Sequence, residues 1–272
     1  MNTLRNTFGA LCAILLAATV GAADLKPTGT VYLTTGGSSE GTIQWRRSSK
    51  TYVVTTGRST STFSEDQVER VDVKPPAQLD ALAKRVASGS NLSAAVKSLE
   101  EIADAYDHLT YDLVATRWLA EAYLKQGNAK EAVSACEKVI RNQPEAAYAG
   151  EMAVPYWAAL RKTNQTGKLQ GLLDKAIASG DRVSAASALV ARGDAALGAD
   201  DAAASSAANC QVALRDGYLR VILLYADPAS EAYPEALYKG AQAFKKMGQS
   251  SRATQLLDTL KAECPNSPWA RK

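Results

Sequence analysis

Residues 236–265 read ALYKGAQAFKKMGQSSRATQLLDTLKAECP. Counted from Pro234 as position one, Leu237 is fourth, Gly240 seventh, Ala241 eighth and Phe244 eleventh. Gly248 is then fifteenth, Ala253 twentieth, Leu257 twenty-fourth, Leu260 twenty-seventh and Pro265 thirty-second. Counted from Leu113, the same nine places fall to Thr116, Leu119, Ala120, Tyr123, Gly127, Ala132, Cys136, Val139 and Pro144. Two parts of one chain therefore share a register, the mark of a repeated structural unit. The eighth and twentieth places are small because two helices cross there and a large side chain would separate them. The glycine at the fifteenth supplies the left-handed residue that ends the first helix. The eleventh, twenty-fourth and twenty-seventh fill the seam with a neighbouring unit, and the proline stops the second helix.

This pattern resembles the tetratricopeptide repeat, a helix–turn–helix unit of about 34 residues. The resemblance implies a mainly α fold: a TPR-like α-solenoid of about five helical hairpins over residues 76–272. From Pro76, Leu79, Leu82, Ala83, Val86, Ala95, Leu99 and Ile102 hold the same places, with Asp107 where the proline would stand. From Ala147 the match decays. Tyr156 and Trp157 are present, Pro155 is expected to kink the first helix, and the turn is expected near Gly167. From about Val183 a longer hairpin runs to Tyr225, with AAASSAANCQVAL expected to lengthen its second helix. One hairpin cannot bury its own apolar face, so such units are stable only when stacked. Residues 218–270 also resemble the repeats of bacterial envelope proteins. These include the periplasmic cell-division coordinator of the Tol-Pal system and the repeat lipoprotein of the outer-membrane assembly machine. Tyr225-Ala226-Asp227-Pro228 departs from their turn by one inserted residue. That resemblance implies an envelope scaffold.

Residues 28–74 have a different texture. VYLTT, GTIQWRR, TYVVTTG, STSTF and VERVDV are short, β-branched and separated by Gly- and Ser-rich turns. They predict five strands in a small, barrel-like all-β domain. The expected inward set is Val31, Leu33, Ile43, Trp45, Val53, Phe63, Val68 and Val71. The pattern resembles small SH3-like or Sm-like barrels, and Pro75-Pro76 marks the boundary that follows. Trp45, Arg46, Arg47, Lys50, Tyr52 and Arg58 admit a polyanion surface, or more simply hairpin ends with solvated charges around a core tryptophan.

The first residues, MNTLRNTFGALCAILLAATVGAADL, place Arg5 before the apolar stretch Phe8–Val20 and the small residues Gly21-Ala22-Ala23. They read as a signal peptide over residues 1–23, too short in its apolar core to span a bilayer. The expected location is periplasmic or secreted, with no transmembrane anchor after cleavage. Cleavage removes Cys12 and leaves Cys136, Cys210 and Cys264, an odd number in an oxidising compartment. Cys136 falls on a core position, and a Cys210–Cys264 bridge is one possibility.

The composition is that of a globular protein, 46% hydrophobic and 22% charged, and the net charge of +3 is too weak to argue for nucleic acid. His108 is the one histidine, with no nucleophile beside it in sequence, and reads as a capping or surface residue. There is no phosphate loop, dinucleotide fingerprint or zinc-protease motif, and neighbouring acid pairs such as Glu100-Glu101 diverge on a helix. The expectation is a protein that is not an enzyme, with no cofactor and no metal. Asn91-Leu92-Ser93 and Asn164-Gln165-Thr166 match the glycosylation sequon.

What remains is a groove. The repeat resemblance implies that first helices line a concave face. Val114, Arg117, Glu121, Leu124 and Lys125 would point into it from one repeat, and Glu235, Tyr238, Gln242, Lys245 and Lys246 from the other. The expected partner-binding residues are Arg117, Glu121, Lys125, Tyr238, Gln242, Lys245 and Lys246. The mix suits an acidic peptide or helix of a protein partner. The expected role is a scaffold for protein–protein interaction. The alternative makes the β unit a head for cell-wall polymer or another polyanion, with the repeats as spacer or oligomerisation arm.

Overall fold

The computed structural model describes residues 25–198 and 202–272, so the signal segment lies outside the described residues. Five strands come first: β1 (Thr28–Leu33), β2 (Ser38–Arg46), β3 (Thr51–Thr56), β4 (Ser59–Ser64) and β5 (Val68–Val73). They form one antiparallel sheet in the order β4-β3-β2-β1-β5. The sheet is not closed, so the barrel expectation holds for the number of strands but not for closure. Tight turns join β1 to β4, and a 3-10 turn at Glu65–Gln67 returns the chain to lay β5 beside β1.

Of the expected inward set, Val31, Leu33, Ile43, Trp45, Phe63, Val68 and Val71 all join the core shared with the helices, and the register departs only at Val53, which is buried but on the opposite face. Ile43 pairs with Val54 and Trp45 with Tyr52, so Tyr52 and Val54 join Val31 and Ile43 on the helix-facing side. Val53 pairs with Gln44 and Thr62 on the other side. Three apolar residues in a row, Tyr52-Val53-Val54, left the parity open, and a one-residue slip exchanges the faces.

Five helical hairpins follow. They are α1 (Leu79–Ser88) with α2 (Leu92–Ala105), α3 (Tyr111–Lys125) with α4 (Ala129–Ile140), and α5 (Ala153–Lys162) with α6 (Thr166–Ala178). The fourth pairs α7 (Arg182–Leu197) with α8 (Ala207–Ala213), a π-helical turn (Leu214–Tyr218) and α9 (Leu219–Leu224); the fifth pairs α10 (Ala232–Lys246) with α11 (Ser250–Glu263). Each second helix packs on the first helix of the next hairpin, and α1, α3, α5, α7 and α10 form the inner row.

Ala120 and Ala132 are fully buried in one cluster and Ala241 and Ala253 buried in another, at the crossings the small residues require. Gly127 and Gly248 have φ of 82° and 74°. The following amides, Asn128 and Gln249, return to the carbonyls of Tyr123 and Phe244, which satisfies groups a helix end would leave open. In the third hairpin this turn is made by Asn164 at φ 56°, not near Gly167; asparagine tolerates the left-handed region. Asn91 sits there too, at φ 46°, so both sequon asparagines serve as turn residues. Pro155 does not kink its helix. It is the third residue of α5, in the first turn, where its missing N–H has no partner to lose.

The fourth hairpin also departs from expectation. Residues 202–205 are turn, and α8 starts only after Ser206, whose hydroxyl accepts from the Asn209 amide at 3.1 Å. The extra length lies in the π turn and α9. There Gly217 packs directly on Gly193: a Cβ on Gly217 would come within 2.6 Å of the Gly193 Cα.

The sheet is not a detached head. Val31, Ile43, Tyr52 and Val54 share one core with Leu82, Leu99, Ile102 and Leu119, so the sheet covers the face of the first hairpin that has no preceding repeat. His108, expected at the surface, lies in this joint. Its ring stacks 4.3 Å from Trp45 and 6.0 Å from Tyr52, and Nε2 is 3.5 Å from Glu65. Beside it, Arg47 donates to both oxygens of Asp107 at 2.5 and 2.6 Å. Trp45 and Tyr52 are thus spent on the joint, while Arg46, Lys50 and Arg58 remain exposed.

Candidate functional site

The inner helices α3, α5, α7 and α10 enclose a concave channel. Arg117 on α3 stands at its mouth. Its Nε lies 3.4 Å from Glu121, one turn along, and its terminal nitrogens reach Glu151, before α5, and Glu231, at the start of α10, the latter at 3.7 Å. The Trp118 ring lies 4.8 Å from the guanidinium. Repeats two and five therefore meet across the mouth, although 114 residues separate Arg117 from Glu231. Burial holds the Glu121 carboxyl above the usual carboxylate range, with Arg117 opposing.

Further along, the Lys239 ammonium sits between Asp194 on α7, at 2.7 and 2.9 Å, and Glu235, at 2.6 Å. The Tyr218 hydroxyl donates to the same Asp194 at 2.7 Å. Burial alone would lower the Lys239 pKa; Asp194 and Glu235 outweigh it and hold the ammonium above its ordinary value. Glu235 is pushed up by burial, against Lys239. Removing one member of such a network strands the others, at a cost on the order of 3 kcal/mol.

Between these ion networks the channel wall carries exposed apolar side chains among polar ones, with Asp181, Arg182 and Asp227 in the same cleft. Val154 and Val183 are 44% and 66% exposed, beside Tyr225 and Ala229 in a cleft of about 530 Å³. Around the whole channel eight carboxylates face five cations.

Of the residues expected to bind a partner, Arg117 and Glu121 line the channel, as does Glu235. Lys125 lies at its edge and donates to the Ala87 carbonyl at 2.7 Å. Tyr238 stacks 5.3 Å from Trp269 of the chain's own C-terminal turn (Pro268–Arg271). Gln242, Lys245 and Lys246 lie one to two turns farther along α10, where Lys246 donates to the Ala203 carbonyl at 2.7 Å. Leu124 packs against the core of hairpins two and three, and Val114 lines a shallower pocket beside the Thr110 turn. Sequence reasoning missed Glu151, Val154, Val183, Asp194, Glu231 and Lys239. The Glu235–Lys239 pair, four residues apart, carried a readable signal; Glu151, Val154, Val183 and Asp194 belong to repeats whose register had decayed, and Glu231 lies in the turn before a clear one.

The three cysteines of the described residues are free and buried, so no Cys210–Cys264 bridge forms. Cys210 faces the Ala202 carbonyl at 3.7 Å, and Cys264 packs with Tyr233, Leu237 and Leu260. Burial pushes the Cys136 thiol up to about 12, which keeps it an unreactive thiol. Among the described residues no three His, Cys, Asp or Glu side chains converge as a metal site would need, and no helix is long and apolar enough to cross a membrane.

Residues 117–146 and 235–267 match the family model of the tetratricopeptide repeat, in the second and fifth hairpins. Among solved structures the chain is similar to the nearly identical TPR-like repeats of a Podosopora anserina chain described as a putative kinesin light chain. The identity is 19% and the TM-score 0.44, over 69% of this chain and 93% of that one. A single-residue variant of the same repeats matches at 17% identity and TM-score 0.44, over 69% and 92%. Comparison with curated proteins gave no match. Residues 117–146 and 235–267 thus carry the tetratricopeptide repeat, a unit that stacks into extended concave binding surfaces.

Proposed function

We propose that the protein is an exported, non-enzymatic scaffold of the bacterial cell envelope that holds a segment of a partner protein in its concave channel. The observation that carries this reading is the channel wall. Exposed Val154 and Val183 lie between two preformed ion networks, on helices from separate repeats. Exposed apolar side chains rimmed by oriented charge suit an extended peptide. Capture works by complementary shape and charge, with no covalent step.

Export is supported by the Arg5–Phe8–Val20–Ala23 pattern, and the envelope by the resemblance of residues 218–270 to envelope repeats. The sheet, on this reading, caps the repeat array. Its rival role as a polyanion head is weakened because Trp45 and Tyr52 are turned into the joint with His108. The test is affinity capture from envelope fractions of the producing cells with wild-type protein and with Val154→Ser/Val183→Ser. Loss of the captured protein at unchanged helical circular dichroism supports the reading. Identical capture by both, or residence of the protein in the cytoplasm, rejects it.

A further inference from the structure

We infer that the segment taken by this channel is basic: an extended stretch of a partner protein in which lysine or arginine alternates with apolar residues. This rests on the channel reading above and adds the sign of the charge. The whole chain carries +3, yet its channel holds eight carboxylates to five cations, so the acidity is local to the concave face. The excess is built in at both networks. Three carboxylates surround the one guanidinium of Arg117, and two flank the one ammonium of Lys239. Glu151 and Glu231 are 73% and 88% exposed, which leaves oxygen atoms open to a second cation. Of the cations expected to serve an acidic ligand, Lys125 donates to the Ala87 carbonyl and Lys246 to the Ala203 carbonyl.

An acidic segment would meet like charge here, and a purely apolar one would leave the carboxylates unanswered. In an extended chain successive side chains point to opposite sides. Basic residues can then face Glu151 and Glu231 while the residues between them reach Val154 and Val183, which line the same cleft as both glutamates. Charge is thereby the selector and the valines the anchor.

The test is selection from a random display library of peptides of about 12 residues, roughly 40 Å when extended. The bait is the purified protein, with counter-selection against Val154→Ser/Val183→Ser, which removes the apolar anchor without adding charge. Survivors should carry lysine and arginine in clear excess over aspartate and glutamate. Synthetic copies of them should bind Glu151→Gln/Glu231→Gln about tenfold more weakly, and wild type more weakly as salt rises. Acidic or neutral survivors would overturn the inference and leave the scaffold reading standing. The absence of survivors would remove both. Basic survivors with equal affinity for the glutamine variant would also overturn it, since the carboxylates would then play no part.

Discussion

His108 stacks on Trp45 at 4.3 Å between ring centroids, so a residue of the first inter-repeat turn is packed on the second strand of the sheet. With the Arg47–Asp107 pair beside it, this contact makes sheet and first hairpin one body with one core. Trp45→Ala should therefore cost about 3 kcal/mol, the low end for a tryptophan that is only partly buried. Amide exchange should accelerate in α1 and α2 as well as in the sheet. Acceleration confined to the strands would mean that the two parts are independent.

Asp112 is 1% exposed and holds the turn that precedes α3. It accepts from the amides of His108 and Leu113 at 2.9 and 2.8 Å and from the Gln143 side chain at 3.0 Å. His108 and Thr110 in that turn have φ of 59° and 71°, which non-glycine residues adopt only when held there. Asp112→Ala strands three donors and should lower the unfolding free energy by about 3 kcal/mol in a urea titration. A loss under about 1 kcal/mol would show that the turn does not depend on this carboxylate.

The contact between Gly193 and Gly217 predicts an asymmetry. A Cβ on Gly193 would lie 2.5 Å from the Tyr218 ring, while one on Gly217 would meet Gly193 backbone atoms at 2.6 and 2.7 Å. A ring can shift more readily than backbone, so Gly217→Ala should be the worse, costing upward of about 3 kcal/mol against roughly 1–3 for Gly193→Ala. Thermal denaturation of the two variants measures the order, and equal stabilities would contradict the close approach.

Burial raises the carboxyls of Asp112, Glu121 and Glu235 above their ordinary values. For an acid whose folded pKa is raised, the native state keeps its proton to higher pH than the unfolded chain does. As pH rises from about 4 through the carboxylate range the unfolded state ionises first, so the contribution of these groups to stability falls across that window and is level above it. Glu235→Gln should flatten this part of the stability–pH curve, because Asp194 still answers Lys239. An unchanged slope between about pH 4 and 6 would contradict the assignment.

The sequence spoke clearly where spacing and backbone chemistry coincide. Gly127, Gly248, Pro144 and Pro265 marked the helix ends, and the alanine pairs at 120/132 and 241/253 the crossings, because few residues can occupy those places. It spoke less clearly where one physical role has several chemical solutions. A left-handed turn can be made by Asn164 as well as by glycine, and a close crossing by the glycines at 193 and 217 as well as by alanines. The channel was legible only in part. Arg117 and Glu121 lie on a clear repeat, but their partners Glu151 and Glu231 lie on turns, and a repeat pattern says nothing of which turns curvature brings together. For the same reason the mixed charge expected of that face did not show its balance of carboxylates over cations, which depends on which side chains pair across it.

The central claim is that the partner lies along the inner row of helices. Site-specific photo-crosslinking in the producing cells tests it most directly. A crosslinking side chain would be placed at Val183, 66% exposed in the channel, and separately at Lys175, exposed near the C-terminal end of the outer helix α6. The account predicts a discrete adduct with one protein from Val183 and none from Lys175. The same adduct from Lys175, with none from Val183, would place the partner on the convex face and contradict it.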